Sequence, residues 1–282
     1  MAEFQTSPNG KTVAAVIGDP VLHSLSPTIY NAAFEHDQMD WIYTAINVSS
    51  EDVESLLQEM RVLHVGGLSV TMPHKEITAK LVDERTPQVQ KLGAVNCISK
   101  KGDFLLGHNT DGEGFLRSLQ VETNEKVAGK SFMIIGAGGA ARAISLALAE
   151  SGANEVILTS RTDSKSEVAA SLAGTIGRVG SLSESQEVDV IINATPLGME
   201  GTRNDGHAPL PVSGMHKNQI IVDLIYHPLE TAFLKSAREV GARTMNGIGM
   251  LIHQAALQYT LWTQKEAPLD VMYDAVMREV SQ

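Results

Sequence analysis

The stretch SFMIIGAGGAARAISLALAESG, Ser131 to Gly152, sets the fold class. An apolar run, a cluster of glycines and an alanine-rich segment of helical periodicity follow one another without a break. That is the order of strand, tight turn and helix. Within it GAGGAA, Gly136 to Ala141, fits the G-x-G-x-x-G/A pattern, with Gly136, Gly138 and Ala141 at the three key positions. The first glycine permits the turn, the second lets backbone approach a pyrophosphate, and the small third residue lets helix and strand pack closely. The free N–H groups at the helix start face the phosphates with the positive end of the helix dipole. A dinucleotide is therefore expected along Gly136, Ala137, Gly138, Gly139 and Ala140.

Downstream, EVILT (Glu155–Thr159) reads as the next strand, and its tip carries Ser160, Arg161 and Thr162 with no acid. NAD binders usually present a carboxylate here to the ribose 2′-hydroxyl, whereas a planar guanidinium matches a 2′-phosphate. Arg161 thus points to NADP; Asp163, just beyond, is the competing candidate for a 2′-hydroxyl. VDVIINATP and IIVDLIY are further buried-strand runs, and Thr231–Val240 has helical spacing.

Upstream, TVAAVIG (Thr12–Gly18), WIYTAINV and GGLSVTM read as strands of a separate α/β unit. Ser26-Pro27 has the form of a helix start, with serine as N-cap and proline at the first helical position. Val53, Leu56, Leu57 and Met60 are spaced as one helix face. Alternation of strands with helices predicts a parallel sheet covered by helices. The third strand runs into SVTMPHK, Ser69 to Lys75, and places a cation at a strand-to-helix turn in an acidic chain. Either it decorates the surface as a solvated lysine, or an anionic or carbonyl-bearing molecule docks there, since strand carboxyl ends are where open α/β sheets bind ligands. After Gly249 two helices follow, expected to return to the first unit.

The totals narrow the class. The 282 residues are 43% hydrophobic and 20% charged, ample for a packed core. The formal net charge of −11, without a basic cluster, argues against nucleic acid or an anionic membrane as partner. The single cysteine, Cys97, forbids an intramolecular disulfide and fits a reducing compartment. A polar N-terminus without a basic and apolar leader predicts a cytoplasmic location. No His/Cys/carboxylate spacing indicates a metal, and neither a G-x-S-x-G elbow nor a phosphate-loop lysine motif occurs.

HSLSP (His23–Pro27), SVTMPHK, GAVN (Gly93–Asn96), GHNTDGEG (Gly107–Gly114), GAGGAAR, NATPLGM (Asn193–Met199) and NGIGMLIHQAA (Asn246–Ala256) stand in this order along nearly the whole chain. In that order and spacing the chain resembles the shikimate dehydrogenase family. The resemblance implies an α/β protein of two lobes. Residues 1–111 plus 247–282 would form the substrate-binding and catalytic lobe, and 112–246 an NADP-binding Rossmann lobe.

It further implies reversible NADPH-dependent reduction of 3-dehydroshikimate to shikimate, in aromatic amino-acid (chorismate) biosynthesis. Lys75 and Asp111 would be the catalytic pair. Ser24 and Ser26 would hold the substrate carboxylate; Thr71, Asn96, Asp111 and Gln254 would bond its hydroxyls, and Tyr226 would face it. Thr195 and Gly247 would lie along the nicotinamide. If the site stays wet, Lys75 remains a cation and donates to the carbonyl.

The alternatives are a quinate/shikimate dehydrogenase using NAD or NADP, and a non-catalytic sensor of the same ligands. The sensor reading expects the catalytic pair to have eroded, and both members are present. The expected partners are a small-molecule substrate and NADP, with a homodimer among the assemblies the family allows. His74 is expected to pack or shape the loop. The family often has asparagine where this chain has Ser69, so a water-filled gap beneath the strand end, or a small shift of Thr71, is expected. Ser160 likewise stands where the family often has asparagine.

Overall fold

The computed structural model describes residues 10–281. They divide into two compact units, one running up to Thr110 and resuming at Gln254, the other spanning Asp111–His253.

The first unit is built on β1 (Thr12–Gly18), α1 (Ser26–His36), β2 (Trp41–Asn47), α2 (Val53–Val62), β3 (Val65–Val70), α3 (Lys75–Leu81), β4 (Glu84–Arg85), α4 (Pro87–Leu92), β5 (Cys97–Lys101) and β6 (Phe104–His108). Its six-stranded sheet has the order β2-β1-β3-β5-β6-β4. β1 lies between β2 and β3, parallel to both. It is buried along nearly its whole length, which is why TVAAVIG is a continuous apolar run and not an alternating one. The expected all-parallel sheet is corrected here. β5 runs antiparallel to β3 and to β6. The hairpin between β5 and β6 turns at Gly102, whose φ of 65° suits glycine. The apolar face of α2 (Val53, Leu56, Leu57, Met60) packs with Ile17, Leu68, Ile98 and Leu105 in one core.

The second unit contains α5 (Asp111–Thr123), β7 (Ser131–Ile135), α6 (Gly139–Glu150), β8 (Glu155–Thr159), α7 (Asp163–Ser171), β9 (Gly177–Val179), β10 (Val190–Asn193), β11 (Ile220–Asp223), α8 (Ala232–Glu239) and β12 (Arg243–Met245). Its sheet order is β12-β11-β10-β7-β8-β9, parallel throughout. The chain order reverses between β7 and β10, the position at which doubly wound sheets bind ligands. Gly112 packs α5 against α6: a Cβ there would lie 2.8 Å from the carbonyl oxygen of Ala143.

Two helices end the chain, α9 (Ile248–Thr263) and α10 (Leu269–Val280). By compactness the chain passes from one unit to the other inside α9. The first turn of α9 belongs to the second unit because Met250 sits in the core of Phe115, Leu119 and Met245. Beyond Gln254 the chain rejoins the first unit, where the Trp262 ring N–H donates to the Ile98 carbonyl oxygen at 3.0 Å. Gly67 makes room for that indole, since a Cβ would lie 2.3 Å from the ring.

Candidate active site

In the first unit the candidate residues gather around the carboxyl end of β3. The Thr71 N–H donates to the Ile17 oxygen at 2.9 Å and so extends the pairing with β1. The His74 N–H closes the turn onto the Thr71 oxygen at 3.0 Å. The His74 ring is fully buried, with Nε2 2.7 Å from the Val48 oxygen; it packs and shapes the loop. Lys75 follows as the first residue of α3, half-buried, and its carbonyl oxygen accepts from the Val95 N–H at 2.9 Å. Asn96 is drawn to the same place: its carbonyl oxygen accepts from the Val70 N–H at 2.8 Å, and its own N–H donates to His108 at 3.0 Å. Thr71, Lys75 and Asn96 are thus tied to one strand end by backbone hydrogen bonds.

Ser24 and Ser26 come together as well. The Ser24 hydroxyl accepts from the Ser26 N–H at 3.2 Å and donates to the Ser26 hydroxyl at 3.1 Å. The expected serine N-cap is therefore corrected by one residue. Ser26 lies inside α1, after Leu25, and a turn closed by the Ser24 side chain starts the helix.

Ser69 is buried, and its hydroxyl accepts from Tyr43 at 2.6 Å and donates to Gln258 Oε1 at 2.5 Å. Tyr30 donates to the same oxygen at 2.9 Å. Gln258 Nε2 donates to Gln254 Oε1 at 2.7 Å and to Thr110 Oγ1 at 3.1 Å. Thr110 in turn is locked to the Asn96 side chain, with its N–H 2.8 Å from Asn96 Oδ1. Sequence reading missed Gln258. Its place four residues after Gln254 puts it on the same helix face, but its other partners are distant in the chain.

In the second unit Asp111 opens α5 and is buried. Gly136, with φ 118°, ends β7, and its N–H donates to the Thr159 oxygen at 2.8 Å. A Cβ on Gly136 would meet the Ala194 carbonyl oxygen at 2.8 Å, so the turn and the segment after β10 need glycine there. Gly138 differs. Its backbone is extended, at φ −78° and ψ −171°, and a Cβ would meet nothing within 4 Å. Nothing among the described residues demands glycine at that point, whereas a pyrophosphate approaching the backbone does. The small residues at Ala137, Gly139 and Ala140 and the start of α6 complete a cradle that fits a dinucleotide. Ala141 is fully buried against the sheet.

At the tip of β8 the Ser160 hydroxyl accepts from the Thr162 N–H at 3.3 Å and lies 2.8 Å from the Ser166 hydroxyl. This small turn projects Arg161, which is exposed. Asp163 is the first residue of α7. After β10, Asn193 Oδ1 accepts from both the N–H and the hydroxyl of Thr195, at 3.0 and 2.7 Å. Asn193 Nδ2 donates to Asp223 at 2.9 Å, and Thr231 donates to the other carboxylate oxygen at 2.7 Å. Burial pushes the Asp223 carboxyl up to about 6 against these donors. Asn193 and Asp223, also missed from sequence, thereby hold Thr195 in place.

Tyr226 follows β11, and burial raises its phenol above the usual range. Gly247 lies close by: its N–H donates to the Ile225 oxygen at 2.9 Å, and a Cβ would sit 2.1 Å from the Leu224 oxygen. Among the described residues no group of His, Cys, Asp or Glu could hold a metal ion, and no helix is long and apolar enough to cross a membrane.

A parallel Rossmann sheet with a phosphate cradle at its switch point, joined to an α/β unit with a lysine and hydroxyls at its strand ends, defines a two-domain, nicotinamide-dependent oxidoreductase. Three family models match. Residues 16–98 match the shikimate dehydrogenase substrate binding domain, and 247–277 the shikimate 5′-dehydrogenase C-terminal domain. Residues 131–225 match a model described as NADP oxidoreductase, coenzyme F420-dependent. The shikimate dehydrogenase (NADP+) of Moorella thermoacetica is 42% identical, over 95% of this chain and 92% of its own.

The crystal structure of shikimate 5-dehydrogenase from Thermus thermophilus with NADP(H) and shikimate superposes with a TM-score of 0.88. It is 34% identical and covers 95% of this chain and 99% of its own. Quinate dehydrogenase from Corynebacterium glutamicum in complex with NAD also has a TM-score of 0.88, at 27% identity over 95% and 99% of the two chains. The chain belongs to the shikimate dehydrogenase family.

Proposed function

We propose that this protein catalyses the reversible, NADPH-dependent reduction of 3-dehydroshikimate to shikimate, serving chorismate and aromatic amino-acid synthesis in the cytoplasm. The observation that carries the reading is the end-to-end match to an NADP-dependent shikimate dehydrogenase, 42% identical over 95% of the chain. Lys75 and Asp111, the residues the family resemblance assigns to catalysis, are both retained.

NADPH, when bound, supplies the hydride that reduces C3. The protein's residues do the rest. Lys75 donates a proton to the C3 oxygen as the reduction proceeds and takes it back in reverse, with Asp111 as its partner. Ser24 and Ser26 hold the carboxylate through their paired hydroxyls. Thr71, Asn96, Asp111 and Gln254 orient the ring hydroxyls, and Tyr226 faces the substrate. The turn at Gly136–Ala140 holds the pyrophosphate, Ser160, Arg161 and Thr162 hold the 2′-phosphate, and Thr195 and Gly247 flank the nicotinamide. Residues 1–111 with 247–282 act as the substrate lobe and 112–246 as the cofactor lobe.

The test is incubation of the purified protein with 3-dehydroshikimate and NADPH, with the product identified by NMR. Shikimate formed in step with NADPH consumption is expected. NADPH left unconsumed, or a different product, would overturn the proposal.

A further inference from the structure

Within the first unit a set of uncharged side chains is buried together beneath β3: Tyr30, Tyr43, Ser69, Asn96, Thr110 and Gln258. The Tyr30 and Tyr43 rings stack, with centroids 4.2 Å apart. Gln258 is the node of this set, and its orientation is over-determined. Its Oε1 receives the hydroxyls of Tyr30 and Ser69. Its Nε2 lies 3.4 Å from the Asn96 carbonyl oxygen, which can only accept. A flipped amide would set two oxygens face to face and leave buried hydroxyls unsatisfied, at the desolvation cost of each. The amide can therefore stand only one way round.

That polarity passes outward. Because Gln258 presents its NH2 group, Gln254 must turn its Oε1 toward it, and the two are 2.7 Å apart. Gln254 then presents its own NH2 group on the other side of its carboxamide. A glutamine without such an anchor would sample both orientations and lose rotamer entropy on binding.

We infer that Gln258 is a positioning residue for substrate binding. It sets Gln254 as a hydrogen-bond donor, so that the pocket receives a hydroxyl or carbonyl oxygen as acceptor at that point. The inference rests on the proposed substrate contact of Gln254.

The experiment is a double-mutant cycle of Gln254→Ala and Gln258→Ala, read as KM for shikimate and KM for NADP. Gln258→Met runs in parallel; it keeps most of the volume and removes only the amide, should the alanine variant fail to fold. Either change at 258 is expected to raise KM for shikimate by about 3–10-fold, the size of one net hydrogen bond. kcat should stay within about twofold and KM for NADP should not move. In the Gln254→Ala background the change at 258 should add almost nothing, because it acts through Gln254.

Equal rises in both KM values, or losses that multiply in the double variant, would overturn the inference and mark Gln258 as general support. If Gln254→Ala raises KM while both changes at 258 are silent, the inference fails and the Gln254 contact stands. If Gln254→Ala leaves KM unchanged, the contact itself is wrong and the inference falls with it.

Discussion

The carboxyl end of β3 and the carboxyl ends of β7 and β8 are built in opposite ways. Under β3 the work is done by buried side chains, each with named partners, and the node Gln258 is 1% exposed. At β7 it is done by missing atoms: Gly136 gives way to a neighbouring carbonyl, and Gly138 leaves open backbone. Arg161, the residue we propose to select the 2′-phosphate, is exposed at the tip of β8. A lattice of buried hydroxyls and amides reads a ligand's donor and acceptor pattern, because a mismatch strands a buried polar group. A glycine turn reads only what every dinucleotide shares and leaves selection to a detachable charge. Substrate choice should therefore be stiff, and cofactor choice soft.

Removing the proposed proton donor from the stiff end should have the largest effect. Lys75→Ala is expected to fold and bind NADP, yet lose about 10²–10⁴-fold in kcat, the usual size of an acid–base contribution. Steady-state rates check this, and a variant retaining more than half of the wild-type kcat would remove Lys75 from the chemistry. Asp111→Asn should also lower kcat, and the double variant should lose less than the product of the two single losses.

At the soft end the effect should be smaller and selective. Arg161→Ala is expected to lower kcat/KM for NADP by roughly 10–150-fold, the worth of a charge-assisted contact of about 1.5–3 kcal/mol. NAD use should hardly change, and Arg161→Lys should rescue only in part. Equal losses with both cofactors would mean that Arg161 supports the loop and does not choose the phosphate.

The smallest effect concerns stability, at the buried carboxyl of Asp223. Its folded value of about 6 lies above the roughly 3.9 of an unfolded chain. Between these values the folded state binds more protons, so this group's contribution falls as pH rises from about 4 to about 6 and stays low above that. The difference is of the order of 2–3 kcal/mol. Asp223→Asn titrates nowhere in this range. Its melting temperature should gain on the wild type as pH rises from 4.5 to 7, whereas a constant gap would show that Asp223 is ionised throughout. The uncharged lattice under β3 contributes no such slope.

The same contrast explains what was legible in the sequence. The glycine turn is contiguous and has one physical reading, so strand, turn and helix at Ser131–Gly152 follow directly. The run of β1 is legible for a similar reason: burial on both faces writes itself as unbroken apolar residues. The β5–β6 hairpin and strands β4, β9 and β12 are short and half-exposed, with weak periodicity, and tertiary pairing alone makes them strands. Lys75 stood out as a cation where a ligand is expected, while its assignment to a reaction came from family resemblance. Gln258 was not legible, because its partners Tyr30, Ser69 and Thr110 are far away in the chain. A polar residue in an apolar helix reads as function only once its neighbours are known.

The most direct measurement is kcat/KM in the oxidative direction for shikimate and quinate, each with NADP and with NAD. The account predicts that shikimate is preferred with either cofactor and NADP with either substrate. The shikimate-to-quinate ratio should agree between cofactors within about twofold, as expected for independent sites. A preference for quinate with NAD, or a substrate preference that reverses when the cofactor is changed, would contradict it.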